Sequence, residues 1–144
     1  FPGTTGPHGV DRPKLGAAVF GDSAALKRLE AILHPAVAAM RKDFVEEYSA
    51  APLIVFDIPL LFEKGGWEQV DAVAVVSAPA ETQRARVLAR AGMTAEKFAQ
   101  ILSIQVPDAE KRARADHVID TGCTLAETRV AVSRLVELLR ERQK

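Results

Sequence analysis

The chain has a single cysteine, Cys123, among 144 residues. Neither an internal disulfide nor a multi-cysteine zinc site can form, and a reducing compartment suits it. There is no excess of either charge: 19 Lys plus Arg balance 19 Asp plus Glu. That removes the global basic field by which nucleic-acid binders gather phosphates. Aromatic residues are 6% of the chain and do not interleave with the basic ones, so a base-stacking platform is excluded as well. No apolar run reaches the length of a membrane span, and no charged-then-apolar leader is visible. These absences point to a cytoplasmic protein with neither a nucleic-acid nor a membrane partner. Any preference for an anion must be local.

What is present is ordinary globular material: 48% hydrophobic and 26% charged residues, enough for one domain, 1–144, with a core of its own. Residues 1–21 are rich in Gly and Pro and read as loop, apart from the apolar patch Ala17-Ala18-Val19-Phe20. From Ser23 onward Leu26, Leu29, Leu33, Val37, Met40, Phe44 and Tyr48 recur at helical spacing. Pro35 interrupts this pattern and predicts two helices or one kinked helix. Continuous apolar runs over 52–58 and 72–77 predict strands covered on both faces, as in a parallel sheet. A helix then runs from Pro79 to Gly92, another starts at Thr94, and a short charged one opens at Asp108. "HVID" at 117–120 is a third strand. Thr124 and Glu127 form a capping box for a last helix whose apolar face is Leu125, Val132, Leu135 and Leu139. Strands separated by helices make an α/β fold, with ligands at the carboxyl ends of the strands.

Two features carry chemistry. "IVFDIPLLFE" places Asp57 at the far end of an apolar strand. A carboxylate there either holds a Mg²⁺ that bridges nucleotide phosphates or accepts backbone hydrogen bonds in the turn around Pro59. The second feature is positive charge between 84 and 114. Arg84, Arg86, Arg90, Lys97, Lys111, Arg112 and Arg114 face only Glu96, Asp108 and Glu110, a net of +4 in a neutral protein. Arg86 and Arg90 are four apart, which predicts a shared helix face able to grip one polyphosphate; the alternative is a solvated face with internal salt bridges. Gly3, Gly6 and Gly9 lack the preceding strand, lysine and following helix of a phosphate loop, and read as plain loop. His34 and His117 have no ligand spacing and read as packing residues.

"DRPKLGAAVF", "LKRLEAILHP", "IPLLFE", "VDAVAVVSAPAETQRARVLARAGMT" and "ILSIQVPDAEKRARADHVIDTG", in this order and spacing, resemble the dephospho-coenzyme A kinases, a P-loop family related to nucleoside-monophosphate kinases. The resemblance covers nearly everything from Asp11 onward. It implies transfer of the γ-phosphoryl group of Mg·ATP to the ribose 3′-hydroxyl of dephospho-CoA, the last step in making coenzyme A. It also implies a three-layer parallel-sheet core, a helical substrate region over 22–50 and a helical lid over 80–115. The lid would bring Arg86 and Arg90 to the ATP phosphates, Arg12 would meet a phosphate of the CoA substrate, and Asp57 would attend the Mg²⁺. The loop holding Cys123 would line the adenine pocket.

One part of the family pattern is not in these residues. Members open with a strand, a Gly-x-x-Gly-x-Gly-Lys-Ser loop and a second strand bearing the carboxylate that acts on the acceptor hydroxyl. No Gly-Lys pair occurs here. Phosphoryl transfer is positioning plus electrostatics, and each lost preorganised donor costs about 3–4 kcal/mol. The expectation is therefore the carboxyl-terminal two-thirds of a kinase, with the N-terminal strands missing and no turnover alone. Two other readings remain open: a non-catalytic nucleotide- or CoA-binding fragment, and another small-molecule P-loop kinase.

Overall fold

The computed structural model describes residues 1–141. The chain divides into two compact units, residues 1–54 and the part from Val55 onward.

In the first unit a small antiparallel hairpin pairs β1 (Thr5–Gly6) with β2 (Gly9–Val10). Helix α1 (Arg12–Val19) follows, then α2 (Ser23–Glu47). The first 21 residues are thus not plain loop. Asp11 caps α1 by accepting the Lys14 amide at 3.1 Å, and Pro13 fits the first turn, where no amide donor is needed. Asp22 caps α2 in the same way, accepting the amides of Ala24 and Ala25 at 2.9 Å each. Helix α2 is one continuous helix with Pro35 inside it. The helical period was correctly read, but the stripe is not a buried face. Only Ala25 is buried, whereas Val37, Met40 and Tyr48 are exposed.

The second unit is built on a parallel two-stranded ladder. β3 (Ala74–Ser77) pairs with β4 (His117–Asp120), matching Ala74 to His117 and Ser77 to Asp120. Helices α3 (Ala80–Leu88), α4 (Ala95–Ser103) and α5 (Asp108–Arg114) lie between them, and α6 (Leu125–Glu141) follows. Three expectations need correction here. Residues 52–58 form no strand: a strand exists only through its ladder, and none of the described residues pairs with this segment. The ladder is not covered on both faces either, since Val76 is 62% exposed. In α6 the capping box forms as expected, with Thr124 Oγ1 2.6 Å from Glu127 Oε2. Leu125 and Val132, however, are exposed, and only Leu135 and Leu139 of the expected face are half-buried.

The core of this unit is Phe62, Val73 and Val75, with Leu61, Val70, Val106 and Ala115 packed against it. Two backbone reversals deliver Phe62: Lys64 donates to the Leu60 carbonyl and Gly66 to that of Leu61, with Gly65 at φ +70°. Next to Phe62, the Glu63 carboxylate is drawn inward. Its Oε1 accepts the Val106 amide at 2.9 Å and lies 2.7 Å from Lys111 Nζ. Both side chains are nearly buried, 11% and 17% exposed. Burial, the largest single influence, pushes the Glu63 carboxyl up. The Lys111 hydrogen bond, the amides of Glu63 and Val106 and the Lys111 charge together outweigh it and hold the group below the ordinary carboxylate range. Arg114 completes this side of the core, its guanidinium 4.9 Å from the Phe62 ring and 5.3 Å from that of Trp67.

Removing either member of such a pair leaves the other charge desolvated and alone. Lys111→Met should destabilise this unit by about 3 kcal/mol, measured by urea unfolding. A carboxyl held low in the folded state stabilises above its unfolded titration and loses that contribution as pH falls through the folded one. Stability should thus fall below roughly pH 4, and Glu63→Gln should flatten that limb of a melting-temperature series. An equal acid limb in the Gln variant would show that Glu63 does not set it.

Candidate active site

The carboxyl ends of β3 and β4 are the place where a parallel sheet gathers ligands, and three local devices shape them here. Thr121 follows β4 and is fastened to β3, its amide and its Oγ1 donating to the Ser77 carbonyl at 2.7 and 2.9 Å. Gly122 comes next, against the ring of Pro79 at the start of α3. A Cβ at Gly122 would lie 2.6 Å from Pro79 Cδ, so only glycine allows the approach. Asp120 then folds back through Oδ1 to accept the Gly122 amide at 2.7 Å. The buried Ser77 hydroxyl donates to Asp108 Oδ2 at 2.9 Å, which ties the amino end of α5 to the end of β3.

Arg86 belongs to this assembly. It projects from α3, and its Nη2 donates to the Thr121 carbonyl at 2.8 Å. Cys123 lies in the same turn, with Sγ 3.3 Å from the Asp120 carbonyl oxygen and 3.4 Å from Thr128 Oγ1. The sheet end thus presents one guanidinium, backbone groups of a glycine turn and a small thiol.

Arg90 is not where the spacing placed it. Helix α3 ends at Leu88, Ala89 caps it, and the Arg90 amide makes a tightening bond to the Val87 carbonyl before Gly92 reverses the chain at φ +74°. Arg86 and Arg90 therefore do not share a helix face. The Met93 amide donates to the Arg90 carbonyl at 3.1 Å around Gly92, so Arg90 belongs to this turn and not to the helix.

Asp57 is exposed rather than buried, and none of the described residues gives it a side-chain partner. No group of three or more His, Cys, Asp or Glu among the described residues could hold a metal ion. Arg12, in the first unit, is the first residue of α1 and is exposed. His34 is an exposed residue of α2, and His117 opens β4 with its Nε2 buried and unpartnered among the described residues.

Sequence reasoning missed Glu63 and Lys111. The signal was available in "PLLFE", where a carboxylate ends an apolar run and demands a partner. That demand was assigned to Asp57, six residues too early.

Comparison with known proteins identifies the family. The family model described as dephospho-CoA kinase matches residues 6–127. The dephospho-CoA kinase of Novosphingobium aromaticivorans is 70% identical over 142 residues, covering 99% of this chain and 71% of the relative. Among solved structures, a crystal structure of a Thermus thermophilus protein superposes with a TM-score of 0.75 at 37% identity, over 96% of this chain and 72% of that one. The dephospho-CoA kinase from Campylobacter jejuni gives 0.67 at 27% identity, over 94% and 68%. The match spans both units and the α/β order read from the sequence, and the chain belongs to the dephospho-CoA kinase family.

Proposed function

We propose that this chain serves the ATP-dependent phosphorylation of the ribose 3′-hydroxyl of dephospho-CoA, the step that yields coenzyme A, in the cytoplasm. The observation that carries the proposal is the 70% identity to a dephospho-CoA kinase over 99% of the chain. ATP is the phosphoryl donor that membership of this kinase family implies. No helix among the described residues is long and apolar enough to cross a membrane, which accords with small, water-borne substrates.

Within the reaction, the glycine turn 121–123 would take the adenine edge of ATP. Arg86 would lie beside it, already oriented by the Thr121 carbonyl. Arg90, exposed in the turn after α3, would reach the transferring phosphates from a lid drawn from 80–115. In such a role a guanidinium stabilises charge that grows in the transition state. Helical residues 22–50 would form the substrate region, with Arg12 meeting a phosphate of the CoA nucleotide. Mg²⁺ is commonly held by one or two carboxylates together with substrate phosphates. The exposed Asp57 fits that role as a single carboxylate ligand and no larger one. When bound, the cation would neutralise phosphate charge, while the residues of this chain bind, orient and exclude water.

No Gly-Lys pair exists in the 144 residues, so these residues alone should bind ATP without turning it over. That outcome would also describe a non-catalytic nucleotide-binding chain, and a chimera separates the two. Grafting this chain in place of the matching segment of the Novosphingobium aromaticivorans enzyme should give a kinase active on ATP plus dephospho-CoA. A folded but inactive chimera would overturn the proposal, and activity on other nucleosides in preference to dephospho-CoA would overturn the acceptor assignment. In the active chimera, Arg90→Ala should lower kcat about 10²- to 10³-fold with little change in KM for dephospho-CoA. An unchanged kcat would remove Arg90 from the phosphate site.

A further inference from the structure

The turn after β4 contains a peptide gripped at both edges. The Gly122 amide donates to Asp120 Oδ1 at 2.7 Å, and the Thr121 carbonyl accepts Arg86 Nη2 at 2.8 Å. Both groups belong to the Thr121–Gly122 peptide plane, in which N–H and C=O point in opposite directions. A carboxylate thus holds the donor edge and a guanidinium the acceptor edge. Turning the peptide over would set its carbonyl against Asp120 and its amide against Arg86, each facing a charge of the wrong sign for it.

The surroundings leave this peptide little other movement. The Thr121 amide and Oγ1 are fixed on the Ser77 carbonyl at 2.7 and 2.9 Å. The Asp120 carbonyl oxygen lies 3.3 Å from Cys123 Sγ and 3.5 Å from Thr128 Oγ1. A Cβ at Gly122 would meet Pro79 Cδ at 2.6 Å and Asp120 Oδ1 at 3.1 Å, so the ring and the carboxylate close on a bare Cα. An aspartate that bonds the amide two residues on is a common turn device. What sets this one apart is the other edge of the same peptide, which holds a side chain 35 residues away in the chain.

We propose that Asp120 is a positioning residue: through the Thr121–Gly122 peptide it fixes the direction in which α3 presents the Arg86 guanidinium. The carbonyl takes one N–H of the guanidinium fork, and a bidentate grip on a phosphate needs only a pair of those that remain. A fork already turned in one direction loses little freedom when the anion arrives. The relay itself stands on contacts within this chain. That the anion is a phosphate of ATP rests on the kinase reading.

NMR on the ligand-free whole chain tests the relay, because a coupling must run in both directions. Arg86→Ala removes an exposed side chain and should speed hydrogen exchange at the Gly122 amide about fivefold. In Asp120→Ala the Arg86 guanidinium should rotate about tenfold faster than in the unaltered chain. Asp120→Asn keeps an oxygen for the Gly122 amide and should restore most of that order. Unchanged Gly122 exchange in Arg86→Ala, or equal guanidinium disorder in the Asn and Ala variants, would overturn the relay. The exchange measurement leaves Asp120 intact, so it decides the matter even if Asp120→Ala does not fold. Equilibrium binding of ATP then tests the consequence. Asp120→Ala and Arg86→Ala should each weaken it about tenfold, and the double variant should be no weaker than either. Losses that multiply to about a hundredfold in the double variant would show that Asp120 does not act through Arg86. An unaltered chain that binds no ATP would sink the nucleotide reading, and the ligand-free results would still decide the relay.

Discussion

The Glu63 carboxylate is the constraint on which the second unit depends. It sits in a turn that ends an apolar run, yet it is nearly buried. Burial alone would favour its neutral form, and one oxygen draws both the Val106 amide and Lys111 onto itself. Those donors come from 43 and 48 residues further along the chain, so the pair is bought with a long loop closure. Once closed, it fixes where the chain re-enters the core after α4. It also sets α5 against β3, and it brings Arg114 over Phe62 and Trp67. The apolar cluster around Phe62, Val73 and Val75 is small, and a polar clamp at its rim supplies specificity that so few side chains could not.

Local chemistry was legible wherever the physical cause was local. Thr94 and the Thr124–Glu127 box start helices because their side chains satisfy free amides within one turn. Gly92 takes the left-handed place in the turn after α3, although the helix itself stops earlier, at Leu88 with Ala89 as its cap. "HVID" pairs as a strand because its register partner is present in the chain. The signals at Asp11 and Pro13 were equally local and went unread, although an Asp ahead of a Pro is a helix start.

Non-local facts were not legible. The apolar run at 52–58 has strand composition, but strand formation needs a neighbour, and composition cannot supply one. The helical stripe of α2 was read correctly as a period, and its exposure was not legible, since periodicity reports a face without saying what lies against it. Arg86 and Arg90 show the same limit at the site. Four-residue spacing aligns two side chains only while the helix continues, and α3 stops at Leu88, before Arg90.

The parting of these two arginines follows from the fold and bears on how the site can work. A guanidinium held by a backbone carbonyl keeps one orientation and loses little freedom when a phosphate arrives, which favours binding. One that rides beyond the helix end reaches the phosphates only when its segment moves, so its charge acts late and with water displaced. A kinase needs both behaviours, because uniform binding of ATP would not accelerate transfer. Arg86 is held by the Thr121 carbonyl in the way the first requires, and Arg90, beyond the Ala89 cap, is proposed for the second. On that proposal, their separation by one helix terminus lets one short segment of sequence supply the two.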